Sequence, residues 1–173
     1  QRQMCIRDRV IFGGTLTAYP RNYLEWFVTQ CLNAMSGANV GTLKEAQQVA
    51  ETAPIRVSDI ALETRPDYCK EEHVDFMLEL GATRVELGVQ TIYDDIYQLV
   101  KRGHSVDDVV EATRIARDAG FALTYHAMPN LFGSNYERDL NAFKMFFEDE
   151  RFKPDALKIY PTLVLSLIHI SEP

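Results

Sequence analysis

Apolar residues along the chain switch between two spacings. Leu24, Phe27, Val28, Cys31, Leu32 and Met35 recur at i, i+3, i+4, i+7, i+8 and i+11, the stripe of an amphipathic helix, and Gly37 is placed to end it. Three more helix starts carry capping boxes: Thr42 with Glu45, Ser105 with Asp108, and Ser134 with Glu137. Further helical stripes are Val74, Met77 and Leu78, closed by Gly81; Val106, Val109, Val110 and Ala116, closed by Gly120; and Leu140, Phe143, Phe146 and Phe147. Between them lie short apolar runs of strand length near 10–12, 57–63, 83–89, 121–127 and 156–163. Their starts are 47, 26, 38 and 35 residues apart, the spacing of repeated strand–crossover–strand units and hence of a parallel sheet. The predicted class is α/β.

The second face of each strand separates a doubly wound sheet from a barrel. At a period of two, Val85, Leu87 and Val89 oppose Arg84, Glu86, Gly88 and Gln90. Ile60, Leu62 and Thr64 oppose Ala61, Glu63 and Arg65; Phe121, Leu123 and Tyr125 oppose Ala122, Thr124 and His126; Leu157, Ile159 and Pro161 oppose Lys158, Tyr160 and Thr162. A doubly wound sheet needs both faces apolar. One apolar and one polar face instead predict a barrel whose lumen holds a ligand. Five such units fall short of a closed eight-unit barrel of about 250 residues, so the expectation is a partial or open one.

Composition narrows the function classes. At 173 residues, 46% apolar and 25% charged, the chain reads as one soluble globular domain. Its 25 acidic and 18 basic residues give a net charge of −7, which repels nucleic acid and anionic membrane overall and confines any polyanion contact to local patches. No apolar run reaches the ~18 residues of a membrane span. Three scattered cysteines, 5, 31 and 69, point to a reducing, cytoplasmic setting rather than a disulfide scaffold. The terminal strings QRQMCIRDR (1–9) and SLIHISEP (166–173) resemble translated sequencing adapters and are expected to be non-native. Without them the count is 15 basic against 23 acidic residues, and the acidic balance stands at −8.

Candidate chemistry gathers at the strand ends. Gly13, Gly14 and Thr15 follow the first strand, where paired glycines permit close backbone approach to a ligand or simply make a tight turn. The segment ETRPDYC, Glu63 to Cys69, leaves its strand dense in polar groups; it reads as a site, or as a loop in which Asp67 caps a helix beginning near Lys70. Glu86 and Gln90 point inward, and an inward carboxylate has to be neutralised by Arg84, by Lys158 or by a ligand. His126 lies on the next inward strand, and with His73 and His104 elsewhere no zinc constellation forms. Lys101 to His104, KRGH, is the densest basic turn, an anion site or a solvated helix end.

IFGGT, ETRPDYC, RVELGVQTIYDD, KRGHS and LKIYPTLV, in this order and spacing, resemble the catalytic subunit of Elongator, the radical-SAM tRNA wobble-uridine acetyltransferases, over residues 10–164. GVQ followed by R-G-H is shared more widely, with oxygen-independent coproporphyrinogen oxidases and methylthiotransferases; ETRPDYC with KIYPTLV is narrower. The resemblance implies a partial six-strand (β/α) barrel carrying a 4Fe-4S cluster and S-adenosylmethionine, with acetyl-CoA as co-substrate and tRNA as partner. The implied product is 5-carboxymethyluridine at the wobble position. It also implies Elongator-type partner subunits or a homodimer, and no membrane. By the same resemblance Gly13, Gly14 and Thr15 hold the methionine end of the cofactor, Glu63, Glu86, Gln90 and His126 line its pocket, and Arg65, Lys101 and Arg102 contact RNA or another anion.

The chain departs from that pattern in its cysteines. The family's three cluster cysteines lie upstream of IFGGT, and Cys5, Cys31 and Cys69, 26 and 38 positions apart, do not substitute for them. The expectation is therefore strands two to six of the barrel without the first, no metal ligands and no activity in isolation, with the strand at 10–12 left as an open edge. Three other readings remain: another radical-SAM enzyme of the coproporphyrinogen oxidase or methylthiotransferase type, a cluster-less binding module, and a non-radical aldolase-type enzyme using Lys158.

Overall fold

The computed structural model describes residues 7–11 and 14–162. Five strands, β1 (Arg7–Ile11), β2 (Val57–Thr64), β3 (Arg84–Gln90), β4 (Ala122–Ala127) and β5 (Ala156–Ile159), form one parallel sheet in the order β1-β2-β3-β4-β5. A doubly wound sheet reverses its strand order at a switch point. This sheet never reverses, so it is the partial (β/α) barrel that the two-faced strands predict. The boundary drawn at residue 10 falls inside β1, while residues 1–6 and the adapter-like 166–173 lie outside the described residues. Among the described residues β1 is a sheet edge, and Val10 on it is exposed.

Helices α1 (Arg21–Ser36), α2 (Leu43–Thr52), α3 (Glu71–Glu79), α4 (Asp94–Leu99), α5 (Val106–Asp118) and α6 (Tyr136–Glu148) fill the crossovers. α1 ends where Gly37 takes φ 75° and donates its N–H to Asn33 O, a left-handed cap that only glycine enters without strain. The boxes at Thr42/Glu45 and Ser105/Asp108 close α2 and α5 as the sequence predicts. The third start is corrected by one residue. Asn135, not Ser134, accepts from Arg138 N, and the Ser134 hydroxyl turns to Asp139 instead. Asp67 caps no helix either: Arg65 takes its carboxylate at 2.7 and 2.9 Å, and Lys70 stands at the start of α3.

Val85, Leu87 and Val89 are fully buried on the outer face of β3, in one core with Met77, Val109, Ala112, Leu123 and Phe146. Tyr125 joins it, its hydroxyl bonded to Thr113 of α5. The stripes of α3 and α6 are narrower than predicted: Leu78, Leu140 and Phe147 face solvent. Parallel register sets the inner face. Glu63 lies opposite Glu86, Glu86 opposite Thr124, and His126 opposite Lys158, so the polar alternation of four strands converges on one lumen.

Candidate functional site

Glu86 is the centre of the lumen. Its side chain is 2% exposed, and both carboxylate oxygens accept from Lys158 Nζ, at 2.6 and 2.7 Å. His126 Nε2 lies 2.8 Å from Glu86 Oε2, and its Nδ1 lies 3.4 Å from Glu63 Oε1. A carboxylate desolvated this far is tolerated only beside an opposite charge and with its lone pairs used, and Lys158 and His126 supply both. Arg84, the other sequence candidate for this role, goes to Asp59 at the opposite end of the sheet. Because both oxygens of Glu86 engage the Lys158 ammonium, the aldolase reading loses the free amine it requires.

Above this chain of charges opens a cleft of about 390 Å³, lined by Glu63, Gln90, His126, Met128 and Tyr160. The Tyr160 ring stands 5.3 Å from that of His126. On one side of the cleft β3 does not end as a regular strand. Its register to β4 breaks between Leu87 and Gln90, and Gln90 has φ 70°. Gly88 makes room here: a Cβ on it would stand 3.0 Å from the Arg102 guanidinium and 3.4 Å from the Gln90 amide. Arg102 Nη2 donates to Gly88 O at 2.8 Å. The Arg65 guanidinium packs likewise on Gly103, where a Cβ would stand 3.0 Å away and φ is +80°.

Among the described residues, buried polar atoms without a partner include Gln90 Oε1 in the cleft, Thr91 Oγ1 next to it in the chain, Arg102 Nε, and both ring nitrogens of His104, which lines a second hollow. Burial, with Arg102 adding to it, pushes His104 down to about 4, so its imidazole is neutral at physiological pH. Desolvation also lowers Arg102, whose neighbour Arg65 carries the same charge. Each unpartnered buried group costs on the order of 1–3 kcal/mol. A protein holds several together where something outside its own atoms completes them.

The structure thus brings Glu63, Gln90 and His126 to one cleft with Glu86 behind them, and sets Arg102 against Gly88 and Arg65 against Gly103. Gly14, with φ 74°, and Thr15 lie in the loop after β1, and Gly13 lies outside the described residues. Lys101 faces a separate hollow with Tyr97, Gln98, His104 and Ser105. Of the KRGH turn, Lys101 is exposed just after α4, in keeping with the solvated helix end considered from sequence, whereas Arg102 and His104 turn inward. Sequence reasoning did not single out Tyr97, Met128 or Tyr160; only the inward parity of Tyr160 signalled one of them.

The fold is that of the radical SAM enzymes. The family model described as the Radical SAM superfamily matches residues 3–145, and the chain belongs to that superfamily. Among curated relatives it is 50% identical over 165 residues to a tRNA uridine(34) acetyltransferase of Methanocaldococcus jannaschii, covering 95% of this chain and 30% of that protein. It is 42% identical over 158 residues to Elongator complex protein 3 of Saccharomyces cerevisiae, covering 91% of this chain and 28% of the relative. The solved structure of archaeal Methanocaldococcus infernus Elp3 with an N-terminal deletion superposes with a TM-score of 0.89 at 48% identity, over 91% of this chain and 37% of that one. Coproporphyrinogen III oxidase of Escherichia coli shares the fold, at a TM-score of 0.59 and 17% identity. The chain spans about a third of the length of the curated relatives it matches.

The superfamily implies a 4Fe-4S cluster and S-adenosylmethionine, and the described residues fit the two differently. They contain no group of three His, Cys, Asp or Glu side chains able to hold a metal. Cys69 is fully buried and its thiol is pushed up to about 12 by that burial, so it offers no thiolate, and Cys31 lies apart on α1; Cys5 is outside the described residues. The cluster does not fit here. S-adenosylmethionine does: among the described residues the unpartnered Arg102 Nε suits its carboxylate end, and the Gln90 Oε1 acceptor and Glu63 suit its ammonium or ribose hydroxyls. Among the described residues no helix is long and apolar enough to cross a membrane.

Proposed function

We propose that this chain forms the cofactor-lining wall of a radical-SAM enzyme that modifies the wobble uridine of tRNA to 5-carboxymethyluridine, drawing the added carbons from acetyl-CoA. The printed activity of its archaeal relative, tRNA uridine(34) acetyltransferase, supports the substrate at 50% identity. The observation that carries the site is the set of unpartnered polar atoms of Gln90 and Arg102 beside the Glu63–His126 pair. Bound at a reduced cluster, S-adenosylmethionine supplies hydrogen-atom abstraction; in this reading residues outside the described ones hold the cluster.

The chain's own residues bind and orient. Arg102 takes the cofactor's carboxylate, Gln90 Oε1 accepts from its ammonium or hydroxyls, and the loop at Gly13, Gly14 and Thr15 supports its methionine backbone. Glu63 accepts from its ammonium or ribose hydroxyls. His126 is held from behind by Glu86, and Glu86 by Lys158, so the ring presents a fixed edge to the cleft. Arg65 and Lys101 contact phosphates of tRNA or coenzyme A. Such an enzyme works in the cytoplasm, with Elongator-type subunits or a second copy of itself as partners.

A chimera tests this reading: this chain's residues replace the matching 165 residues of the Methanocaldococcus jannaschii relative. Incubated with tRNA, acetyl-CoA and S-adenosylmethionine, it is expected to modify the wobble uridine, read by nucleoside mass spectrometry. A folded chimera with its cluster intact that leaves this uridine unchanged would overturn the proposal.

A further inference from the structure

The residue that shapes the cleft wall is Gln90, and its backbone is under strain. Thr91 N–H donates to Val89 O at 2.9 Å across a residue with φ 70°. This is a three-residue γ-turn of the rare hand, which a non-glycine residue adopts only where its surroundings impose it. Two of the imposing contacts come from neighbours already described: Met128 N–H donates to Gln90 O at 2.9 Å and ties the turn to β4, and Arg102 holds Gly88 O at 2.8 Å. The third comes from α4. The Tyr97 hydroxyl lies against both carbonyls that flank Gln90, at 2.7 Å from Val89 O and in contact with Thr91 O. One O–H thus spans the turn from end to end.

Tyr97 is 2% exposed, its ring meets that of His104 edge-on at 4.5 Å, and burial raises its phenol, which keeps the donor proton in place. It touches nothing in the cleft. Its ring supplies packing that phenylalanine would supply equally, but only the hydroxyl reaches the two carbonyls.

We propose that Tyr97 is a positioning residue: its hydroxyl clamps the Val89–Thr91 turn and so holds the Gln90 carboxamide, whose Oε1 has no partner among the described residues, at the cofactor cleft. The ligand part of this inference rests on the function proposed above; the backbone part does not. α4 thereby couples to the cleft through a hydrogen bond rather than through a side chain of its own.

The test uses the full chain and its Tyr97→Phe variant. Amide and α-carbon NMR shifts of Gln90, with its N–Hα coupling, are expected to report a left-handed backbone in the parent chain and an extended one in the variant. Titration with S-adenosylmethionine is expected to show affinity reduced about tenfold by Tyr97→Phe, the scale of one lost polar contact, and no further reduction when the same change is made in a Gln90→Ala background. An unchanged Gln90 signature in Tyr97→Phe, or an equal loss of affinity in both backgrounds, would overturn the clamp. Should the parent chain show no affinity for S-adenosylmethionine, the functional reading fails while the NMR comparison still decides the clamp. If Tyr97→Phe alone does not fold, the Gln90→Gly/Tyr97→Phe chain, in which the left-handed turn carries no strain, is expected to recover the fold, and failure to recover counts against the proposal.

Discussion

The two ends of β3 are both polar and are built in opposite ways. At the N-terminal end Arg84 donates to Asp59 at 2.9 Å, Thr83 donates to the other oxygen of Asp59, and the Thr83 hydroxyl also accepts from Ile60 N at 3.1 Å. Those side-chain groups are all partnered by one another. Six residues on from Arg84, at Gln90, the strand breaks register and takes a positive φ, and among the described residues Gln90 Oε1, Thr91 Oγ1 and Arg102 Nε have no partner. The first end also borders a cleft, of about 290 Å³ and lined by Asp59, Ile60 and Thr83, but its polar side chains bond to one another. The second leaves hydrogen-bonding capacity unused, and in a parallel barrel that C-terminal end is where ligands bind. Polarity alone does not mark the site; unsatisfied polarity at the correct end of the strand does.

On this contrast, the charges between the two ends are the most sensitive to substitution. Lys158→Met removes the cation from Glu86 and is expected to destabilise the chain by about 3 kcal/mol in urea unfolding, the lower part of the range for a broken buried pair. A loss no larger than that from an exposed pair would mean that the lumen is wetter than its 2% exposure at Glu86 indicates.

Acid comes next. His104 binds a proton near 6.5 when unfolded and only at about 4 when folded, so the unfolded chain holds more protons between those values. Stability should therefore fall as pH drops from about 6.5 to 4 and level off below, with this limb flattened in His104→Phe. Asp108 adds a separate loss at lower pH: its hydrogen bonds from Ser105 and Lys70 outweigh desolvation and hold its carboxyl down at about 2. Persistence of the first limb in His104→Phe would assign it elsewhere.

Gln90→Gly should act in the opposite direction on stability, raising it by about 1 kcal/mol because glycine enters the left-handed region without strain. It should weaken cofactor binding at the same time. The smallest effect belongs to the N-terminal end: Asp59→Asn is expected to lose about 0.5–1 kcal/mol, as for a partly exposed pair, and to leave ligand affinity untouched. A calorimetric melt paired with a binding titration reads both quantities for each variant.

Much of the architecture was legible in the sequence because period and register are local properties. Alternation in four strands predicted the inward set of Glu63, Glu86, Gln90 and His126, and parallel pairing without a reversal of order brought them together. The caps at Thr42 and Ser105 followed from spacing alone. Asn135 displaced Ser134 because both can cap, and the choice depends on Asp139 attracting the serine hydroxyl. The strand-like string LGVQ concealed the broken register at Gln90, since neither the notch at Gly88 nor the Tyr97 hydroxyl is encoded near it as a pattern. Likewise Arg84 and Lys158 were equal candidates for Glu86 until the register placed Asp59 beside one of them.

The central claim is that the C-terminal end of β3 is where S-adenosylmethionine binds. Isothermal titration of S-adenosylmethionine into the full chain tests it directly, with Gln90→Ala and Asp59→Asn measured alongside. The predicted result is one-to-one binding, weakened about tenfold by Gln90→Ala and unchanged by Asp59→Asn. No binding, or equal weakening by both substitutions, would contradict it.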